Sequence, residues 1–320
     1  MSGHRGPADQ KHPAAARRVS GQRDPGAFVA YLGYRALAGL FGLLPEPVMR
    51  RTGEALGWLL SWPARRRMAL LERHLQRVVG PVPDLRRRAR AMFSSYGRYW
   101  AEVFWVRPRR KPAIVATASI AGIEHVEDAL AAGRGIILAL PHLGNWEAAG
   151  AKAEAIGIPV LAVAESLPNR RITEWFVGVR RAMGMDVVLT GDGPRVTAEL
   201  IRRLKQGGTV ALLADRDLSG RGIEVLFFGE RTTLPAGPVA LADRTGATVL
   251  PVGCYFDDGP GHAFVVRPPL QIPAAATREE RVAAGAQLLA GELEELIRAA
   301  PAQWHLFQPN WPSDRGDRGA

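Results

Sequence analysis

A chain of 320 residues, 47% of them hydrophobic, is long enough to bury a sizeable core, and its single cysteine, Cys254, excludes an internal disulfide framework and a cysteine-only metal site. The formal net charge of +11 is unevenly spread: Lys and Arg outnumber Asp and Glu by 22 to 7 over residues 1–112 and fall behind by 20 to 24 over the rest. Such asymmetry points to an anionic partner surface, lipid or nucleic acid, unless the arginines merely keep exposed faces solvated.

Residues 1–24 are polar and rich in Pro, Gly and Arg, with no apolar core of a signal peptide, and are expected to be a disordered tail. Residues 25–112 read as a basic, apolar helical segment. It opens with AFVAYLGYRALAGLFGLL (27–44), which carries one charge, Arg35, and is stopped by Pro45 and Pro47. That stretch is slightly short for a membrane span and suits a helix lying in a membrane interface, or else a buried helix. A second helix is expected over 54–62, and two Arg-rich helices follow. In the last of these, Met92, Phe93, Tyr96, Tyr99, Trp100, Val103 and Phe104 recur at spacings of three and four, an apolar helical stripe that reads as core. The triplets Arg65–Arg67 and Arg86–Arg88 read as solvated faces able to meet lipid phosphates.

From about residue 113 to 310 the pattern alternates between short apolar runs and helical segments. Strands are expected at 135–140, 159–164, 186–189, 209–214, 248–255 and 262–267. Helices are expected at 146–156, 169–183, 194–206, 238–245 and 277–300. This predicts an α/β fold with a central, mostly parallel twisted sheet flanked by helices. Residues 311–320 are expected to be a second disordered tail.

In open α/β sheets, sites collect at the carboxyl ends of strands. Three expected strand ends here carry polar clusters: Pro141-His142, Glu165-Ser166 and Asp215-Arg216-Asp217. In ILALPHLGNWEAAG (137–150), His142 precedes Glu147 by five residues. That spacing does not place both on one helix face. Glu147 can reach the imidazole only if His142 lies in the turn before the helix, where it would serve as a base. The pattern alone fits equally well a capping His with a Glu in a first helical turn. No Gly-x-Ser-x-Gly elbow is present, and the scattered His residues with one Cys show no zinc spacing.

The motifs PHLGNWE, AVAESLPN, EWFVGVRRAMG, ALLADRDLSGRGIEVLFFGE and LPAGPVALADRTGATVLPV together resemble the bacterial lysophospholipid and lipid A late-acyltransferase family. Within it the resemblance is to the actinobacterial phosphatidylinositol mannoside acyltransferases. It covers about residues 25–310, and it carries one departure: those enzymes begin the acidic segment with Glu where Asp215 stands here. The resemblance implies transfer of a fatty acyl chain, palmitoyl by expectation, from acyl-CoA to a mannose hydroxyl of a mannosylated phosphatidylinositol. No cofactor and no metal are expected. It implies His142 as general base, Glu147 as its orienting acid, and Asp215 as a further catalytic carboxylate. Glu165 and Asp217 would hold acceptor hydroxyls, and Arg180, Arg221 and Arg244 would meet donor phosphates or the oxyanion. The expected location is peripheral, on the anionic cytoplasmic face of the cell membrane. Two rival readings remain open: a thioesterase or esterase using the same residues, and a basic nucleic-acid-binding protein. No nucleic-acid recognition motif supports the latter, and no nucleic-acid partner is expected.

Overall fold

The computed structural model describes residues 25–218 and 220–315; the expected tail over 1–24 lies outside them. The chain opens with four helices: α1 (Pro25–Leu43), α2 (Glu46–Leu60), α3 (Arg65–Val79) and α4 (Leu85–Trp105). Helix α1 is long and apolar enough to cross a membrane, yet only 17% of its most apolar window is buried. Val29, Leu40 and Leu43 are exposed, so a buried core helix is excluded. Helix α2 begins eight residues before the expected start. Pro45 precedes it and Pro47 falls in its first turn, where a missing N–H costs nothing.

Helices α2 and α4 cross almost backbone to backbone. A Cβ on Gly57 would stand 2.1 Å from the Phe93 carbonyl oxygen, and one on Gly97 would stand 2.1 Å from that of Gly53. The aromatic stripe of α4 is core as expected: Met92, Phe93, Tyr99, Val103 and Phe104 are all buried. The six arginines of the two triplets are exposed.

The remaining elements are α5 (Lys111–Ala116), β1 (Ala118–Ala121), α6 (Glu124–Ala131), β2 (Ile136–Leu140), α7 (Trp146–Ala155), β3 (Val160–Ala164), α8 (Arg170–Ala182), β4 (Asp186–Leu189), α9 (Pro194–Lys205), β5 (Thr209–Leu213), β6 (Ile223–Phe227), β7 (Glu230–Leu234), α10 (Gly237–Thr245), β8 (Thr248–Phe256), β9 (His262–Val266) and α11 (Arg278–Ala299). Seven strands form one sheet in the order β1-β9-β8-β2-β5-β3-β4. The five from β8 to β4 run parallel, while the β8–β9 turn reverses β9 and, with it, β1. Ile136 and Ile137 of β2 and Val210 of β5 are fully buried, because helices cover both faces. The fold is therefore the expected α/β sheet flanked by helices, with an N-terminal helical segment.

Strand β1 and helices α5 and α6 lie outside the expected elements, and two larger features also depart from expectation. A small antiparallel pair, β6 with β7, follows β5. The tail expected over 311–320 does not begin at Trp311. That side chain is fully buried, and its indole N–H donates to the Phe227 carbonyl at 3.2 Å. Asp314 holds this end of the chain in place. Its carboxylate binds His74 at 2.9 Å and Arg77 at 3.1 Å, and accepts the backbone N–H of Asn310 and Trp311. A buried Trp and a saturated carboxylate supply the contacts that a disordered tail lacks.

Candidate active site

The register of the sheet brings the site together. Leu140 of β2 lies opposite Leu213 of β5, so each strand delivers its candidate residue two positions later: His142 from one and Asp215 from the other. Strand β3 flanks β5 and ends just before Glu165. All three carboxyl ends thus meet on one edge, neighbouring strands being about 4.8 Å apart.

Asp215 is fully buried and holds His142 twice. Its Oδ1 lies 2.6 Å from His142 Nδ1, and its Oδ2 accepts the His142 backbone N–H at 2.9 Å. The Trp304 indole N–H donates to the same Oδ2 at 2.8 Å. Burial alone would raise the Asp215 carboxyl, but the charge and hydrogen bonds of His142, with the Trp304 N–H, outweigh it and hold the pKa below the ordinary value. An ionised Asp215 only accepts, so Nδ1 must carry a proton, and in the neutral form of the ring the lone pair is on Nε2. Among the described residues no hydrogen-bond partner occupies His142 Nε2.

The loop after β2 is shaped so that His142 stays outside the helix. Gly144 adopts φ +56°, and a Cβ there would stand 2.1 Å from the Cys254 carbonyl oxygen. Asn145 caps α7, its side-chain oxygen accepting the N–H of Glu147 at 3.0 Å and of Ala148 at 3.1 Å. The segment 303–311 straps this loop from outside. Gln303 accepts the Gly144 N–H, His305 donates its backbone N–H to the His142 carbonyl at 2.7 Å, and Asn310 Nδ2 donates to the Asp215 carbonyl at 3.1 Å. Trp304, which donates to the Asp215 carboxylate, and Asn310, which donates to its carbonyl, are contacts that sequence reasoning did not find. Two Trp side chains in an irregular, Pro-containing segment were the only signal of their burial.

Glu147 does not orient His142. Its carboxylate is taken by Arg180, with Nε 3.0 Å from both oxygens and Nη2 2.5 Å from Oε1. The reason is geometric: once α7 is capped at Asn145, Glu147 lies in its first turn and meets α8, which carries Arg180. Burial would lower the Arg180 pKa, and the adjacent Glu147 charge raises it overall. Arg180 is thus an ion-pair partner rather than an uncommitted anion receptor. The pair lines a cavity of about 250 Å³ with Leu140, Trp146, Phe176 and Leu213. Trp146 also stands edge-on to the His142 ring, the ring centres 5.6 Å apart.

Glu165 lines the same cavity, is largely exposed, and meets Arg216 Nη2 at 3.3 Å. The Arg216 Nε is buried without a partner among the described residues. Asp217 builds its own loop instead of lining the cavity, accepting the N–H of Gly220 and Gly222 and the Thr233 hydroxyl. Arg221 is exposed on that loop. Arg244 is not part of the site. It lies in the last turn of α10, just ahead of Thr248, which pairs with Ile136 at the amino end of β2. The whole length of the sheet separates it from His142.

A sequence model of the bacterial lipid A biosynthesis acyltransferases matches residues 20–313. The chain belongs to this acyltransferase family. A phosphatidylinositol mannoside acyltransferase of Mycobacterium tuberculosis (strain CDC 1551 / Oshkosh) is 40% identical over 251 residues, 76% of this chain and 77% of that one. One of Mycolicibacterium smegmatis (strain ATCC 700084 / mc(2)155) is 37% identical over 306 residues, 93% and 97% of the two chains. The lipid A biosynthesis lauroyltransferase of Escherichia coli (strain K12) is 28% identical over 268 residues, 82% and 84%. The acyltransferase match thus spans the N-terminal helices and the C-terminal strap as well as the sheet.

In this acyltransferase-family chain a buried network ties the helical segment to the loop that carries His142. Glu102 of α4 accepts from Arg98 at 2.9 Å, from His262 at 2.8 Å and from Asn145 at 2.6 Å. Burial would raise its pKa, and the bonds to His262 and Arg98 lower it overall. Asn145 is therefore gripped from α4 while it caps α7. Cys254 is fully enclosed in β8, and burial pushes its thiol far up, which removes it as a nucleophile. Among the described residues no group of three His, Cys, Asp or Glu could hold a metal ion.

Proposed function

We propose that the protein transfers a long-chain fatty acyl group, palmitoyl in the first instance, from acyl-CoA to a mannose hydroxyl of a phosphatidylinositol mannoside, at the cytoplasmic face of the cell membrane. The observation that carries this reading is a His142–Asp215 dyad, its Nε2 without a partner, beside an apolar cavity lined by Trp146. The names borne by the mycobacterial relatives support the choice of acceptor.

His142 Nε2 takes the proton of the acceptor hydroxyl as its oxygen attacks the thioester carbonyl. Asp215 holds the ring in the required tautomer and stabilises the imidazolium that forms. The tetrahedral intermediate collapses with loss of the thiolate, which receives the proton from His142. No acyl-enzyme is required, in keeping with the buried Cys254. The partnerless Nε of Arg216 is the candidate to meet developing negative charge, and Glu165 the candidate for acceptor hydroxyls. The acyl chain would enter the cavity, gaining about 0.8 kcal/mol per buried methylene. No cofactor or metal is needed. The exposed apolar surface of α1, with the basic triplets nearby in the chain, would seat the molecule peripherally on an anionic leaflet.

The test offers palmitoyl-CoA with and without mannolipid acceptors, following thiol release and the products by mass spectrometry. Acceptor-dependent release with a new ester supports transfer. Release of free palmitate at the same rate without acceptor makes the protein a thioesterase using the same dyad.

A further inference from the structure

A groove of about 750 Å³ runs between α1 and α8, on the other side of α8 from Arg180 and the apolar cavity. Three arginines line it: Arg35 from α1, Arg107 just after α4, and Arg171 from the first turn of α8. None of the three forms an ion pair among the described residues. Glu174, also on the groove, is engaged by Arg170 at 2.7 Å. Arg107 donates to the carbonyls of Phe104, Val106 and Ala38 at 2.9, 2.7 and 2.6 Å. Those neutral acceptors fix the guanidinium without cancelling its charge. Arg171 lies over the Phe28 ring at 4.8 Å, and Arg35 donates to the Tyr31 hydroxyl at 3.4 Å. The groove is thus a preorganised concentration of positive charge with a guanidinium on each wall.

Its position says what would fill it. Phe28, Tyr31, Arg35 and Ala38 recur every three or four residues, so the groove takes one face of α1. Tyr34 and Phe41 turn inward onto Phe104. The next face around the helix carries Val29, Leu32, Leu40 and Leu43, exposed at 66, 47, 58 and 82%. A helix seated in a bilayer interface by that face holds its flanking cations at phosphate level.

We propose that the α1–α8 groove is a binding site for the phosphate of an anionic membrane lipid, distinct from the donor and acceptor sites. It rests on the proposed seating of α1 in a membrane and not on the acyl-transfer chemistry. Arginine is the residue suited to phosphate, giving paired N–H donors to its oxygens.

The test compares partition of the full-length protein onto phosphatidylcholine vesicles with and without phosphatidylglycerol, at one ionic strength. Arg35→Gln with Arg171→Gln removes two exposed cations from the groove and touches neither His142 nor the apolar cavity. Arg195→Gln with Arg244→Gln removes the same charge elsewhere. We expect the groove pair to lose about tenfold of its preference for the anionic vesicles, and the distant pair to keep it. Thermal melts check folding. Arg35→Lys with Arg171→Lys, which preserves charge, should retain most of the preference. Equal losses in both Gln pairs, or no loss in the groove pair, would overturn the proposal. It is likewise overturned if coenzyme A raises the melting temperature of the wild type but not of the groove pair while the vesicle preference is unchanged, since the groove would then take donor phosphate. Because the readout is binding, failure here leaves the proposed reaction standing, and loss of that reaction would leave this result standing.

Discussion

Asp215 grips His142 at both its ring and its backbone, Nδ1 at 2.6 Å and N–H at 2.9 Å, although the two stand 73 positions apart in the sequence. The carboxylate receives a third donor from Trp304. Three N–H groups converging on one buried acceptor leave the imidazole a single orientation and a single tautomer.

Asp215→Asn should therefore lower kcat by about 10³–10⁴-fold with little change in KM. An amide presents one acceptor and one donor to a site that supplies only donors. The ring is pushed toward the tautomer with Nε2 protonated, which cannot act as base. Steady-state kinetics on folded protein check this, and a loss under tenfold would remove Asp215 from the dyad.

Trp304→Phe keeps an aromatic ring, though a smaller one, and deletes one donor to Oδ2. The hydrogen bond to a charged acceptor is worth about 1.5–3 kcal/mol. Because it acts by positioning Asp215, we expect kcat to fall about tenfold while KM holds. A change confined to melting temperature would show a purely structural role.

The Glu147–Arg180 pair has side-chain exposures of 10% and 18%. Removing one partner leaves a largely buried charge unpaired, so Glu147→Gln or Arg180→Met should each cost about 2–4 kcal/mol. The double variant should cost clearly less than the two singles together. Urea denaturation of the four proteins measures the coupling, and simple additivity would show that the pair is not coupled.

Burial and then the charge of His142 push His305 down to about 3, against an ordinary value of 6.5. Between those values the unfolded chain binds a proton that the folded chain does not. The contribution is complete above pH 6.5 and is lost as pH falls toward 3, with a slope of up to about 1.4 kcal/mol per pH unit. His74, lowered chiefly by burial, adds in the same direction. Urea midpoints should drop between pH 7 and pH 5, and His305→Gln should flatten that drop. Identical pH profiles for variant and wild type would contradict this account.

Gly97→Ala puts a methyl group where the Gly53 carbonyl oxygen stands. The strain must separate α2 from α4, and we expect a loss of about 2–3 kcal/mol. Thermal denaturation reads it, and an unchanged melting temperature would mean that the crossing is looser than described.

Much of the parallel sheet is legible from the sequence, because a strand covered on both faces has to be a short apolar run between turn residues. Runs such as GIILAL and TVALLA have strand length and are bounded by glycine at their start, which marks them as strands rather than buried helix. The strand β1, ASIA, is too short and too small-sided to be recognised. The hairpin of β6 and β7 is hidden by Leu226, which faces outward and breaks the alternation of IEVLF. The C-terminal strap has no period at all, being irregular chain held by Trp304, Trp311 and Asp314.

Local pattern was enough to put a histidine at a strand end, outside the following helix, and to mark a basic, apolar helical entry to the chain. Those properties depend on neighbours a few residues away: Pro141 before the turn, Gly144 within it, Asn145 closing it. Which acid serves His142 depends instead on partners far along the chain. Glu147 is the near candidate in sequence, but the helix cap turns it toward Arg180. Asp215 is the near one in space, because Leu140 and Leu213 share a register and carry their strand ends out side by side. Arg244 shows the converse: adjacent to a strand in sequence, it belongs to the amino end, and sheet direction alone removes it from the site.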